Sequence, residues 1–222
     1  MTKGSTFIEF IQQKYLRAVE KGSILQFECN SIGMTDKFLT YTVKHCPILE
    51  HKPVSPNVFR DKTGGYKSPF LEIPKDMKVA DYPDHVLIFN KYPIFPHHLL
   101  LVTRTFRPQY EDLDEADFTA ISMVLSELSS PFLMFYNCGP ESGASQLHKH
   151  IQFIPFESWN EIPIYDSVTG SELVHFDFWH WSTMLEGVKG PARFDRNILF
   201  FQYQQLMKKM KELFGSQNSL IS

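Results

Sequence analysis

Apolar residues recur at helical spacing near the start of the chain. Phe7, Phe10, Ile11, Tyr15 and Ala18 follow Thr6-Phe7-Ile8-Glu9, which reads as a capping box, so the first predicted element is an amphipathic helix. Leu25 to Cys29 and Phe38 to Val43 are short β-prone runs, and Asn30-Ser31-Ile32-Gly33 between them carries turn residues. Cys46 to Pro83 is rich in Pro, Lys and Gly and reads as a long loop. Val86 to Phe89 and Leu99 to Thr103 are apolar enough for central strands of a sheet hairpin. The two prolines of Asn90-Lys91-Tyr92-Pro93-Ile94-Phe95-Pro96-His97-His98 bar helix between them. Asp114 opens a second helix whose buried stripe is Phe118, Ile121, Leu125 and Leu128, stopped by Ser129-Ser130-Pro131. Phe132 to Tyr136 and His148 to Pro155 are strands around a polar, glycine-bearing loop, Asn137 to Gln146. An aromatic region from Trp159 to Trp181, a turn at Gly187-Val188-Lys189-Gly190-Pro191 and a helix from about Asp195 to Phe214 complete the pattern.

Composition narrows the class. With 222 residues the chain can bury a core as one domain, and a formal charge of -3 argues against a general nucleic-acid surface. Any anion site is therefore local. Cys29, Cys46 and Cys138 are odd in number and lie outside any C-x-x-C pair, so neither a disulfide framework nor a zinc knuckle is indicated and a reducing compartment is expected. No apolar leader core and no run of eighteen apolar residues is present, which sets the expectation of a cytoplasmic protein with no membrane partner. The twenty phenylalanines are assigned to core and groove wall.

Chemistry concentrates in one segment. Side chains on a strand alternate, so His148, His150 and Gln152 share one face while Lys149 and Ile151 take the other. A neutral imidazole acts as a nucleophile when its second nitrogen is held by an acceptor, and His150 is central enough for that. His148 is then placed to orient the loop or a phosphate oxygen, and the Gln152 amide to hydrogen-bond a non-bridging or leaving oxygen. Ser142-Gly143-Ala144-Ser145-Gln146 has small side chains, so successive N–H groups with two hydroxyls suit an anion nest. Alone, such a loop is a plain turn and His-x-His is a satisfied pair or a metal site. Together, with no third ligand at metal spacing, they point to phosphate chemistry. Lys189, Lys208, Lys209 and Lys211 are read as solvated, Met207, Met210 and Leu213 as core, and at most one of His97 and His98 as serving the site.

The run from Tyr136 to Gln152, with Gly143-Ala144-Ser145-Gln146-Leu147-His148-Lys149-His150-Ile151-Gln152 at its heart, closely resembles the signature of diadenosine tetraphosphate phosphorylase, also called ATP adenylyltransferase. That family forms the transferase branch of the histidine triad (HIT) superfamily. His85 to Thr103 is similar to a second family block in the expected order, and Cys46 to Pro53 looks like its lysine-bearing segment. Ser68 stands where the family often has asparagine before a proline, and Leu147 replaces a polar residue. The resemblance implies an α+β, HIT-like fold with a mostly antiparallel central sheet flanked by helices. It also implies a single domain over 1–222, with a shortened or divergent C-terminal segment after Phe156. It implies His150 as nucleophile, with His148 and Gln152 as its catalytic neighbours. Lys52, Asn90, Lys91, Asn137, Ser142, Gly143, Ala144, Ser145 and Gln146 become substrate contacts. It implies no covalent cofactor and no metal site, with Mg²⁺ entering only on the nucleotide. The partners are dinucleoside polyphosphate, ATP, ADP and inorganic phosphate, acted on by a cytoplasmic monomer with the nucleus as a second compartment. In the implied reaction His150 takes AMP from diadenosine tetraphosphate, ATP leaves, and phosphate collects AMP as ADP. Alternatives kept open are a related nucleotidyltransferase or dinucleoside polyphosphate hydrolase, and a catalytically inactive nucleotide-binding module.

Overall fold

The computed structural model describes residues 6–36, 39–47, 67–128, 131–155 and 195–214. Helix α1 spans Phe7–Glu20 and begins at the expected capping box: the Thr6 hydroxyl accepts from Glu9 N (3.3 Å), and the Glu9 carboxylate accepts from Thr6 N (2.8 Å). It buries Ile11, Tyr15 and Ala18.

The first hairpin departs from the expected boundaries. Strands β1 (Asn30–Asp36) and β2 (Leu39–His45) pair antiparallel from Asn30↔His45 to Asp36↔Leu39. The residues read as a turn, Asn30 to Gly33, therefore lie inside a strand, and Leu25 to Cys29 is not one. The reversal falls after Asp36, so local turn propensity at Asn30 and Gly33 yields to the pairing register. That register also corrects the cysteine reading. One position beyond Asn30↔His45, Cys29 and Cys46 meet and are joined as a disulfide, while Cys138 is an exposed thiol. Without the register, a pair 17 residues apart carries no local signal.

Half of the expected 46–83 loop lies outside the described residues, but its end forms a strand, β3 (Lys78–Asp81), too short and too polar to announce itself. With β4 (His85–Phe89), β5 (Leu99–Thr103), β6 (Phe132–Phe135) and β7 (His150–Pro155) it makes a five-stranded sheet of order β3-β4-β5-β7-β6, antiparallel throughout. β4 and β5 are buried along their whole length, as continuous apolar runs require.

Period-2 alternation gives this sheet two distinct faces. Leu87, Phe89, Leu99, Leu101, Ile151 and Phe153 enter the main core with α1 and with α2 (Glu115–Glu127), whose N-cap is Asp114. The α2 stripe buries Phe118, Ala120, Ile121 and Val124, with Leu128 at its C-cap. Helix α3 (Arg196–Phe214) lies on α2 through Phe200 and Tyr203, which both contact the Phe118 ring. Leu213, expected in the core, is exposed at its end. On the other face Val86, Ile88, Leu100 and Val102 form a smaller cluster with Phe70 and Ile73. Val102 pairs with His150 and Leu100 with Gln152, so the predicted nucleophile strand turns its polar side chains toward this second face. Among the described residues no helix is long and apolar enough to cross a membrane.

Candidate active site

The His150 ring is held by main chain. Its Nδ1 lies 2.8 Å from the carbonyl oxygen of His148, an acceptor only, so Nδ1 carries the hydrogen and Nε2 the lone pair. That is the tautomer a nucleophilic imidazole needs. The carbonyl dipole would also steady the ring cation formed when Nε2 bonds to phosphorus. The main chain of His150 is held in turn. β6 stops pairing with β7 at Phe135↔Gln152, and beyond that point the Gln109 side-chain amide stands in for the missing strand. Gln109 Oε1 accepts from His150 N (2.7 Å), while its Nε2 donates to His150 O (3.2 Å) and to Asn137 O (2.8 Å). Gln109 is 2% exposed and carries no motif, and its partner lies 41 positions away, so sequence reasoning missed it.

A cavity of about 320 Å³ opens over this ring. His150, Gln152, His98, Asn137, Gly143, Ser145, Gln146, Asn90 and Lys91 lie on its wall beside Phe70, Tyr92, Phe95 and Phe135. That volume sits at the small end of the range for ligand pockets. Gly139 and Gly143 adopt φ of 88° and 86°, a left-handed conformation that strains other residues, and so bend the 137–146 loop toward the strand. Not every predicted contact reaches the wall. Ser142 and Ala144 direct their N–H groups, and Ser142 also its hydroxyl, to the Gly139 carbonyl, so they shape the loop from behind. Lys52 lies outside the described residues.

Three further placements follow from hydrogen-bond direction. Tyr92 N donates to Asn90 Oδ1 (3.0 Å), Asn90 Nδ2 to His98 Nδ1 (3.3 Å), and His98 Nε2 to Gln152 Oε1 (3.1 Å). The Gln152 amide nitrogen is thereby left as the end of that side chain able to donate into the cavity. Of the adjacent histidines, then, His98 serves the site. His97, at a φ of 60°, packs its ring tilted by 59° against Tyr15 with 4.6 Å between ring centroids. His148 is sealed from the cavity: its ring is fully buried between Ser68, Thr103, Phe70 and Phe106, so it touches no phosphate oxygen and acts through its carbonyl. Burial lowers its pKa and keeps it neutral.

On the opposite face Lys149 is also fully buried. Its ammonium donates to Asp117 Oδ2 (2.6 Å) and to Asp112 O (2.8 Å), while His85 Nε2 meets Asp117 Oδ1 at 2.8 Å. Burial alone would raise the Asp117 carboxyl, but His85 and Lys149 outweigh it and hold it well below the usual carboxylate range.

A helix-backed antiparallel sheet whose other face offers a main-chain-anchored imidazole beside a glycine-turned loop defines a class, α+β proteins that present a histidine from a sheet strand into a cavity. Within that class the chain belongs to the family described as Ap4A phosphorylase N-terminal domain, which matches residues 1–169; Ap4A is diadenosine tetraphosphate. It is 31% identical over 169 residues to diadenosine 5',5'''-P1,P4-tetraphosphate phosphorylase 2 of Saccharomyces cerevisiae, covering 66% of this chain and 51% of that protein. To Protein APA1 of the same yeast it is 29% identical over 157 residues, 65% of this chain and 47% of the relative. The chain thus spans about half the length of the curated relatives it matches. The solved structure of yeast Ap4A phosphorylase Apa2 in complex with AMP superimposes with a TM-score of 0.70 at 25% identity, over 94% of this chain and 72% of that one. The same enzyme in complex with Ap4A gives 0.72 at 24% identity, over 95% and 75%, a likeness of fold.

Proposed function

We propose that the chain performs nucleotidyl transfer by double displacement, the phosphorolysis of diadenosine tetraphosphate to ADP and ATP. The observation that carries this reading is the His150 ring: Nδ1 anchored at 2.8 Å to a carbonyl, on the wall of a glycine-turned cavity. In the first step the Nε2 lone pair bonds to an α-phosphorus and the bond to the bridging oxygen breaks. ATP departs with that oxygen's electron pair, and AMP stays on the ring. In the second step an oxygen of inorganic phosphate bonds to the same phosphorus, the P–N bond breaks back onto Nε2, and ADP leaves. Gln152 donates to a phosphate oxygen but has no proton to give or take, so water gains no general acid or base there. Lys91, and Lys52 by resemblance, supply charge to the polyphosphate. Mg²⁺ enters on the nucleotide. Among the described residues no cluster of three or more His, Cys, Asp or Glu is placed to hold it. The proposed setting is a monomer in the cytoplasm, with the nucleus as a second compartment.

Incubation with diadenosine tetraphosphate and phosphate, with products resolved, tests the reading. ADP plus ATP appearing only with phosphate is expected. AMP plus ATP from water alone would make the chain a hydrolase, and tight binding without turnover a nucleotide-binding module. His150→Ala should abolish labelling of the protein by substrate, and His150→Gly should regain turnover with added imidazole. Persistent labelling of the alanine variant sinks the assignment.

A further inference from the structure

We propose that Ser68 is a positioning residue for the nucleophile, its hydroxyl fixing the ring of His148 and, through that residue's carbonyl, the tautomer and aim of His150. The inference rests on the function proposed above and adds to it a residue outside both the loop and the strand motif.

The His150 hydrogen bond is made to main chain, so whatever steers the His148 peptide steers the nucleophile. Main chain supplies one hold: β7 begins at His150, His148 forms an isolated bridge to Pro108, and Lys149 N, in the same peptide as the His148 carbonyl, donates to Arg107 O at 2.7 Å. The ring of His148 supplies the other: its Nδ1 lies 2.5 Å from Ser68 Oγ, and its Nε2 lies 2.9 Å from Thr103 O and 2.8 Å from Thr103 Oγ1. Donor counting assigns every hydrogen. Nε2 faces the Thr103 carbonyl, an acceptor only, so it carries the ring hydrogen and Nδ1 accepts; Ser68 Oγ, which itself accepts from Phe70 N (3.1 Å), gives Nδ1 its one hydroxyl hydrogen. Thr103 Oγ1 donates to the Thr105 carbonyl (2.8 Å), so the Nε2 hydrogen of His148 is shared between the two Thr103 oxygens. His148 is thus neutral, protonated on Nε2, with both nitrogens served, and it is buried together with Ser68 and Thr103. Two residues past Ser68 the Phe70 ring packs 5.6 Å from the His148 ring and 5.5 Å from that of His150, so one short segment closes on both imidazoles. Ser68→Ala leaves a buried ring nitrogen without its donor. The ring is then driven to turn or to take a proton, and either change moves the carbonyl that His150 needs.

Imidazole ¹⁵N NMR and single-turnover labelling decide the matter together. In the native protein the spectra should show His148 as the Nε2–H tautomer and His150 as the Nδ1–H tautomer, each alone. In Ser68→Ala, His150 should become a tautomer mixture and the labelling rate should fall about tenfold with KM unchanged. Ser68→Thr should restore both readouts. If the alanine variant does not fold, Ser68→Cys, which keeps a weaker donor, should show the same changes at smaller size. Retention of a single His150 tautomer and full rate in the variants overturns the proposal, as does a native His148 protonated on Nδ1 or a rise in KM at constant kcat. Native protein that shows both tautomers but never labels defeats the proposed reaction instead, and the tautomers in the variants still decide the role of Ser68.

Discussion

At the scale of single residues the site depends on groups that never touch substrate. Gln109 acts as a one-residue strand, and its amide serves two polar groups of His150 that β6 no longer reaches. Gln109→Met keeps the volume and removes all three bonds, leaving buried N–H and C=O groups unserved at a cost of about 3 kcal/mol. Urea denaturation should show that loss together with a fall in turnover. A change under about 1 kcal/mol would mean that neighbours or water replace the amide. His150 and Gln152 were legible in the sequence because strand alternation is local. Gln109 and Ser68 were not, since they lie 41 and 80 positions from the groups they hold.

At the scale of elements, two cross-links decide how the pieces sit. The Asp117 carboxylate ties Lys149, the residue that leads into β7, to α2, and β4 through His85 to the same point, directly behind His150. Breaking a buried pair strands the other charge. Lys149→Met should therefore cost about 3–5 kcal/mol, and the double variant Lys149→Met/Asp117→Asn should recover more than half of it. Equal melting behaviour of single and double variants would refute the coupling. The alternation of β7 was enough to send Lys149 to the face away from His150, but an acid waiting there from another element was invisible. The second cross-link is Cys29–Cys46 at the base of the β1–β2 hairpin. Protein prepared without reductant should show one reactive thiol, Cys138, and after reduction three. A loop of this size contributes about 3 kcal/mol of chain entropy, so amide exchange in β1 and β2 should speed up on reduction. Three thiols before reduction would overturn the pairing.

At the scale of the whole molecule, stability and site share the same buried charges, which gives acid unfolding two windows. His148 and His97 have pKa values lowered by burial. Below their unfolded value near 6.5 the unfolded chain takes up protons that the folded one refuses, so stability is full above about pH 6.5 and falls as pH drops. The slope is at most about 1.4 kcal/mol per pH unit for each group. Asp117, held low, contributes stability that is complete above about pH 4 and is lost as pH falls further toward its folded value. Denaturation midpoints measured from pH 8 to pH 3 should therefore decline in two steps, and His148→Asn should flatten the first. A flat profile between pH 7 and 5 would contradict the buried, neutral His148. The sheet explains why fold and proposed site are so coupled: one face is spent on the described helices, the other holds the His150 cavity, and β7 belongs to both. The sequence by itself determined the three described helices, the β4–β5 hairpin, the polar face of the His150 strand and the glycine loop before it, because periodicity, caps and turn residues act within a few positions. Only the tertiary structure decided the short edge strand β3, the register that unites Cys29 with Cys46, the sealing of His148 and the grip of Ser68, Gln109 and Asp117. Those depend on which distant segments the shared core brings within about 3 Å of one another, and no local pattern encodes that distance.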